Sequence, residues 1–124
     1  MKPPDTGGIV IVGPCAAGKS SLAEGLRQAG WQARQIAQEH SYVANMWQVL
    51  SQPDILIFLD AQFETCTRRK SLDWTPADYQ AQQERLAHAR QHCDFYLATD
   101  ALSADQVLER TLSWLGGQPQ GPAV

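Results

Sequence analysis

The segment Gly13-Pro14-Cys15-Ala16-Ala17-Gly18-Lys19-Ser20 carries the clearest chemistry in the chain. It fits G-x-x-x-x-G-K-[ST], a pattern in which each fixed position has a physical task. Gly13 and Gly18 let the backbone turn tightly and approach phosphate oxygens with no Cβ in the way. Successive main-chain N–H groups then form a concave nest for an anion, and the helix that follows adds its positive end. Lys19 supplies a point charge for the β- and γ-phosphates. Ser20 offers a hydroxyl to Mg²⁺. Cys15, Ala16 and Ala17 are small enough to leave room for a diphosphate. Pro14 lacks an N–H and stiffens the start of the turn. Ser21 extends the phosphate-binding set into the helix. The expected ligand is a nucleoside triphosphate, ATP with Mg²⁺.

Triphosphate chemistry needs an acid that orients Mg²⁺ or activates a nucleophile. Two acids fall where predicted strands end. Asp60 follows Ile55-Leu56-Ile57-Phe58-Leu59 and is a candidate for metal binding or catalysis, or simply a helix cap. Glu39 follows the second predicted strand and is a candidate general base or magnesium-water ligand, or a solvated loop acid. His40 beside it reads as a polar turn residue. Arg68-Arg69-Lys70 closes a predicted helix; there the cations either complement the helix dipole or supply an arginine to the transferring phosphoryl.

These groups need a scaffold. Ile9-Val10-Ile11-Val12 is a continuous β-branched run, as expected of a strand buried on both faces. A helix is expected from about Gly18 to Ala29, with Leu22, Leu26 and Ala29 on its apolar stripe and Gly30 as its stop. Residues 31–37 can form a second strand. Ser41 can cap a short helix carrying Val43, Met46, Trp47 and Leu50, which Pro53 ends. After the third strand, helix is expected from about Gln62 to Lys70. Thr75-Pro76-Ala77-Asp78 is a helix start, and Tyr79, Leu86 and Cys93 recur along that helix at a helical interval. Residues 94–99 are a last strand. Ser103-Ala104-Asp105-Gln106 is a capping box for a final helix through Val107, Leu108, Leu112 and Leu115. This alternation predicts an α/β fold of three layers, α/β/α, around a mostly parallel sheet of four to five strands, with the binding crevice at the strands' carboxyl ends.

The 124 residues suit one domain over 9–115, between an expected flexible polar leader (residues 1–8) and an expected disordered Gly- and Pro-containing tail (residues 116–124). A net charge of −3 gives no general attraction to nucleic acid or anionic membrane. No apolar run is long enough to span a bilayer. Three cysteines without C-x-x-C spacing suggest no zinc or redox motif, and with no secretory leader they suggest reduced thiols in the cytoplasm. Four tryptophans, Trp31, Trp47, Trp74 and Trp114, allow a homodimer through a helix face without specifying one.

With these residues in view, the chain resembles the P-loop kinases of small molecules, the group holding nucleoside, nucleotide, shikimate and gluconate kinases. The loop Gly13–Ser20 carries the resemblance. Ile57-Phe58-Leu59-Asp60-Ala61, with Glu64 and Arg68-Arg69, is similar to the strand and helix leading into the lid of such kinases. Residues 85–90 and 93–100 are similar to their last helix-strand unit. The resemblance implies the P-loop nucleotide-binding fold and ATP-dependent phosphoryl transfer to an unidentified small-molecule acceptor. It implies Lys19 on the phosphates, Ser20 on Mg²⁺ with Asp60 or Glu39 as the metal's acid, Glu39 as base, Arg68 or Arg69 in the lid, and the loop from Thr99 through Asp100 to Leu102 against the adenine. The chain is much shorter than such kinases. Its acceptor segment is only about residues 38–53, and its lid lies around Lys70 to Trp74. A nucleotide-binding module that hydrolyses slowly and regulates a partner is the alternative reading.

Overall fold

The structure is a computed structural model that describes residues 8–117. Most of the expected leader and tail therefore lies outside the described residues; of the tail, Gly116 closes the last helix.

Four strands form one sheet: β1 (Ile9–Val12), β2 (Ala33–Gln35), β3 (Ile55–Asp60) and β4 (Phe95–Ala98). Their order is β2-β1-β3-β4, and every neighbouring pair is parallel. The expectation of four to five mostly parallel strands thus resolves to four, all parallel. All four residues of β1 are buried, because the strand lies between β2 and β3 and is covered on both faces.

Alternation along the strands divides the core in two. Ile9 and Ile11 of β1 and Ile57 and Leu59 of β3 pack with Leu22 and Leu26 of α1 (Lys19–Gln28) and Val107 and Leu115 of the last helix, α6 (Ala104–Gly116). Val10 and Val12, with Leu56 and Phe58, pack on the opposite face with Trp47 of α2 (Met46–Ser51) and Ala89 of α5 (Ala87–His92). Fully burying each such aliphatic or aromatic side chain contributes about 1.5–3 kcal/mol. The three-layer α/β/α arrangement follows from these two cores. The remaining helices, α3 (Phe63–Lys70) and α4 (Pro76–Arg85), follow β3. From α4, Tyr79 donates to Ala61 O at 2.7 Å and Gln83 to Asp60 Oδ1 at 3.1 Å, so this helix lies across the carboxyl end of β3.

Both expected capping boxes form: Thr75 with Asp78 opens α4, and Ser103 with Gln106 opens α6. Three expectations are corrected. The second strand covers only residues 33–35 of the expected 31–37. Ser41 does not cap α2: its hydroxyl accepts from Val43 N at 3.0 Å in a local turn, and the helix begins at Met46 behind Asn45. Val43 lies outside the helix. The helix opened by Thr75 does not run unbroken to Cys93. Leu86 adopts φ −93° and ψ −5° between α4 and α5. The reason is a contact from a segment distant in sequence. Arg85 O, which would accept from Ala89 N in a continuous helix, instead accepts from the Gln38 side chain at 3.2 Å.

Candidate functional site

The turn between β1 and α1 is shaped by its two glycines. A Cβ on Gly13 would stand 2.0 Å from Leu59 O, a backbone atom that cannot yield. Gly18, the residue before α1, has φ 106°, and Ala16 has φ 68°, both in the left-handed region. These reversals leave several main-chain donors unused. Ala17 N donates to Pro14 O at 3.2 Å and Cys15 N to Gln82 Oε1 at 3.1 Å. Among the described residues, no acceptor meets the N–H groups of Ala16, Gly18, Lys19 or Ser20. No side chain caps α1 either. The start of the helix therefore presents free N–H dipoles with a partial positive charge behind them.

Lys19 lies over this turn and is buried, with 7% of its surface exposed. Its ammonium donates to Gly13 O at 2.8 Å, to Pro14 O at 3.0 Å and to Glu39 Oε2 at 3.0 Å. Glu39 belongs to a 3₁₀ turn, Gln38–His40, just beyond β2, and is also buried. Its second oxygen, Oε1, is buried without a hydrogen-bond partner. A buried carboxylate with one oxygen unsatisfied is costly, and such groups concentrate where a ligand or proton is handled.

Two adjoining cavities open on the turn. The larger, about 510 Å³, is a trough lined by Cys15, Lys19, Ser20, Glu39, His40 and Arg69 among others. The smaller, about 200 Å³, lies between Ala17, Gly18 and Ser21 on one side and Thr99, Leu102 and Val107 on the other. Ala16, Gly18, Ser21 and Arg69 border both.

The structure brings together Ala16, Ala17, Gly18, Lys19, Ser20, Ser21, Glu39, Arg69 and Thr99. Of the two candidate arginines, Arg69 reaches the site. Its Nη1 donates to Ala16 O at 3.1 Å and to Thr99 Oγ1 at 3.0 Å, and its Nη2 donates to Thr99 O. Arg68 is exposed and lines neither cavity. Thr99 is fully buried and donates to Ala17 O at 2.9 Å, tying the end of β4 to the turn.

Asp60 ends β3 as expected but lines neither cavity. Its Oδ1 accepts from Ala61 N at 3.0 Å and from Gln83 at 3.1 Å. Its Oδ2 accepts from the Tyr96 hydroxyl at 2.6 Å and pairs with Arg90 at 3.2 Å. Burial, and next the hydrogen bond to this carboxylate, push the Tyr96 hydroxyl up to about 12. Both Asp60 oxygens are thus committed to structure. Asp100 likewise holds a turn, accepting from Gln62 N at 2.8 Å. Burial opposes its ionisation, but hydrogen bonds from Thr65 and Gln62 win and hold its carboxyl below the usual range. Asp100 borders neither cavity.

Gln82 and Val107 do not stand out as site residues in the sequence, whereas Leu102 closes the loop that the resemblance sets against the adenine and borders the smaller cavity. Gln82 is a buried polar residue on α4, and only the fold brings it to Cys15. Val107 reads there as ordinary helix packing.

A magnesium ion at this turn would find Ser20 exposed beside the trough, with Glu39 the one carboxylate among the described residues that lines it. Oxygen donors of these two kinds suit magnesium, which keeps several of its own waters. Among the described residues, no helix is long and apolar enough to cross a membrane. No protein-family model matches the chain, and no curated protein is significantly similar to it.

Proposed function

We propose that this chain is a P-loop nucleotide-binding protein that binds ATP with Mg²⁺ and transfers the γ-phosphoryl to a hydroxyl or phosphate of a small acceptor. The observation that carries this reading is the set of unpartnered N–H groups at Ala16, Gly18, Lys19 and Ser20, with a buried ammonium over the same turn. Together they form an anion nest at a helix start. The two cavities support a division of labour. The smaller, flanked by apolar Leu102 and Val107, suits a base; the trough suits the phosphates and an acceptor.

In this reading the phosphates take Lys19 from Glu39, and Ser20 would hold the magnesium ion. When bound, that ion neutralises phosphate charge and fixes the orientation of the oxygens. The freed Glu39 carboxylate accepts the acceptor's proton as the acceptor oxygen bonds to the γ-phosphorus. The bond from that phosphorus to the β–γ bridging oxygen breaks, and ADP leaves. Arg69, which borders both cavities, lies close enough to meet charge developing on the transferring group.

A second reading, a slowly hydrolysing module that regulates a partner, draws support from the surface. Tyr42, Val43, Val49 and Leu50, on the segment after Glu39 and His40, are all more than half exposed. Apolar groups exposed in such number mark interaction sites in many proteins. ³¹P NMR of MgATP with the protein and a mixed pool of nucleosides, sugars and hydroxy acids separates the two. A new phosphoester resonance supports transfer. Inorganic phosphate alone supports the regulatory module, and an unchanged ATP spectrum removes both activities.

A further inference from the structure

Cys15, on the turn, lies 25 residues from His40, yet its Sγ is 3.6 Å from His40 Nε2. Glu39 Oε2 is 3.8 Å from the same nitrogen. The ligand atoms of all three residues lie within 4.8 Å of one another. We propose that Cys15, Glu39 and His40 form a binding site for a borderline-soft divalent cation, zinc in particular.

Geometry supports this first. Zinc bonds of about 2.3 Å to sulfur and about 2.1 Å to nitrogen place those two atoms roughly 3.5 Å apart in a tetrahedron. The thiol and imidazole already stand at that separation. Glu39 Oε2, 3.8 Å from that nitrogen, lies a few tenths of an ångström beyond the roughly 3.4 Å that a tetrahedral ion sets between a nitrogen and an oxygen ligand. Donor chemistry supports it second. One thiolate, one imidazole and one carboxylate are the ligand types zinc selects, whereas magnesium takes oxygen alone.

The third support comes from the carboxylate itself. Glu39 Oε1 is buried and has no partner, although Oε2 is engaged by Lys19. The oxygen nearest His40 is Oε2, which Lys19 already engages, so a cation that takes the carboxylate through both oxygens also meets the unmet demand of Oε1. The ligands are also oriented from behind. Gln82, itself buried, donates from Nε2 to Cys15 Sγ at 3.2 Å and accepts from Cys15 N at 3.1 Å, gripping both ends of the residue. Such outer contacts fix ligand direction in metal sites. All three ligands line the trough, so the fourth coordination position faces it and takes water or a substrate oxygen. Binding displaces the thiol proton to solvent.

This inference does not rest on the nucleotide reading, because it is tested without nucleotide. Co²⁺ is titrated into the reduced 124-residue chain and followed by visible and near-ultraviolet absorption, then displaced with Zn²⁺. The expected result is one Co²⁺ per chain with the intense visible bands of a four-coordinate ion and a thiolate-to-cobalt band. Cys15→Ser loses the thiolate band. His40→Ala, a change at an exposed position, keeps its far-ultraviolet circular dichroism and binds at least about tenfold more weakly. Gln82→Leu weakens binding about 10–100-fold without removing the thiolate band, as loss of an orienting contact does. A pale six-coordinate spectrum, or a thiolate band that survives Cys15→Ser because Cys66 or Cys93 supplies it, overturns the proposal.

Discussion

Lys19 and Glu39 meet at 3.0 Å with both side chains buried, and that contact limits what each can do alone. A buried pair loses hydration on both sides and is weak evidence for stability in itself. It is well suited to exchange partners when an anion enters. Glu39→Gln keeps the shape and removes the charge, while Lys19 retains its two carbonyl acceptors. The expected outcome is a transfer rate lower by about 10²–10⁴-fold, the usual contribution of a general base. MgATP affinity by calorimetry should change little. A variant with undiminished transfer removes Glu39 from the chemistry. The pattern around Lys19 is legible in the sequence because it is contiguous. The pairing with Glu39 is not, since nothing local signals it. Likewise, Arg68 and Arg69 read alike in the sequence. One residue is about 100° of helical rotation, and that alone puts Arg69 on Thr99 and leaves Arg68 in solvent.

Gln38 joins three elements with one side chain. Its Oε1 accepts from Trp47 N at 2.9 Å, and its Nε2 donates to Val43 O at 2.8 Å and Arg85 O at 3.2 Å. Fully buried, it fixes the 3₁₀ turn against α2 and α4 and so sets where Glu39 sits. Gln38→Leu orphans the buried Trp47 N–H and frees the Arg85 carbonyl. Each buried group left without a partner costs about 1–3 kcal/mol. Denaturant unfolding should show a stability loss of at least that size; a loss below about 0.5 kcal/mol contradicts this account. The elements themselves were largely readable: β1 from its β-branched run, α4 and α6 from their capping boxes. The break at Leu86 was not, because it follows from a contact between Gln38 and Arg85, segments distant in sequence, and the late start of α2 was not, because Ser41 commits its hydroxyl to a turn with Val43 instead of to the helix. Asp60 shows the same limit. Its position at a strand end was readable, but its capture by Gln83, Arg90 and Tyr96 required the packed fold.

At the scale of the whole molecule, burial raises two acids far above their ordinary values. Desolvation pushes the Cys66 thiol from 9.0 to about 11. The Tyr96 hydroxyl moves from 10.0 to about 12 for the same first reason. In both, the folded state holds its proton more tightly than the unfolded chain. Their contribution to stability is therefore full below about pH 9 and is lost as pH rises through 11 and 12. Thermal melts between pH 7 and 11 should fall on the alkaline side, and Cys66→Ala should flatten the first part of that fall. An alkaline limb identical in the variant excludes Cys66 as its source. The three-layer plan and the parallel sheet were legible from the alternation of elements. The division of the crevice into a trough and a smaller apolar cavity was not, because it depends on where Arg69 and Thr99 meet the turn.

The central claim is that main-chain N–H groups and Lys19 hold a polyphosphate at the start of α1. Calorimetric titration of MgATP into the native chain, Lys19→Ala and the double variant Lys19→Ala/Glu39→Gln tests it most directly. The double variant leaves no unpaired charge at the site, so a folded comparison exists even if the single variant is unstable. The account predicts one molecule of nucleotide per native chain and loss of most of that affinity in both variants, with circular dichroism intact in the double variant. No binding by the native chain, or equal binding by the folded double variant, would contradict it.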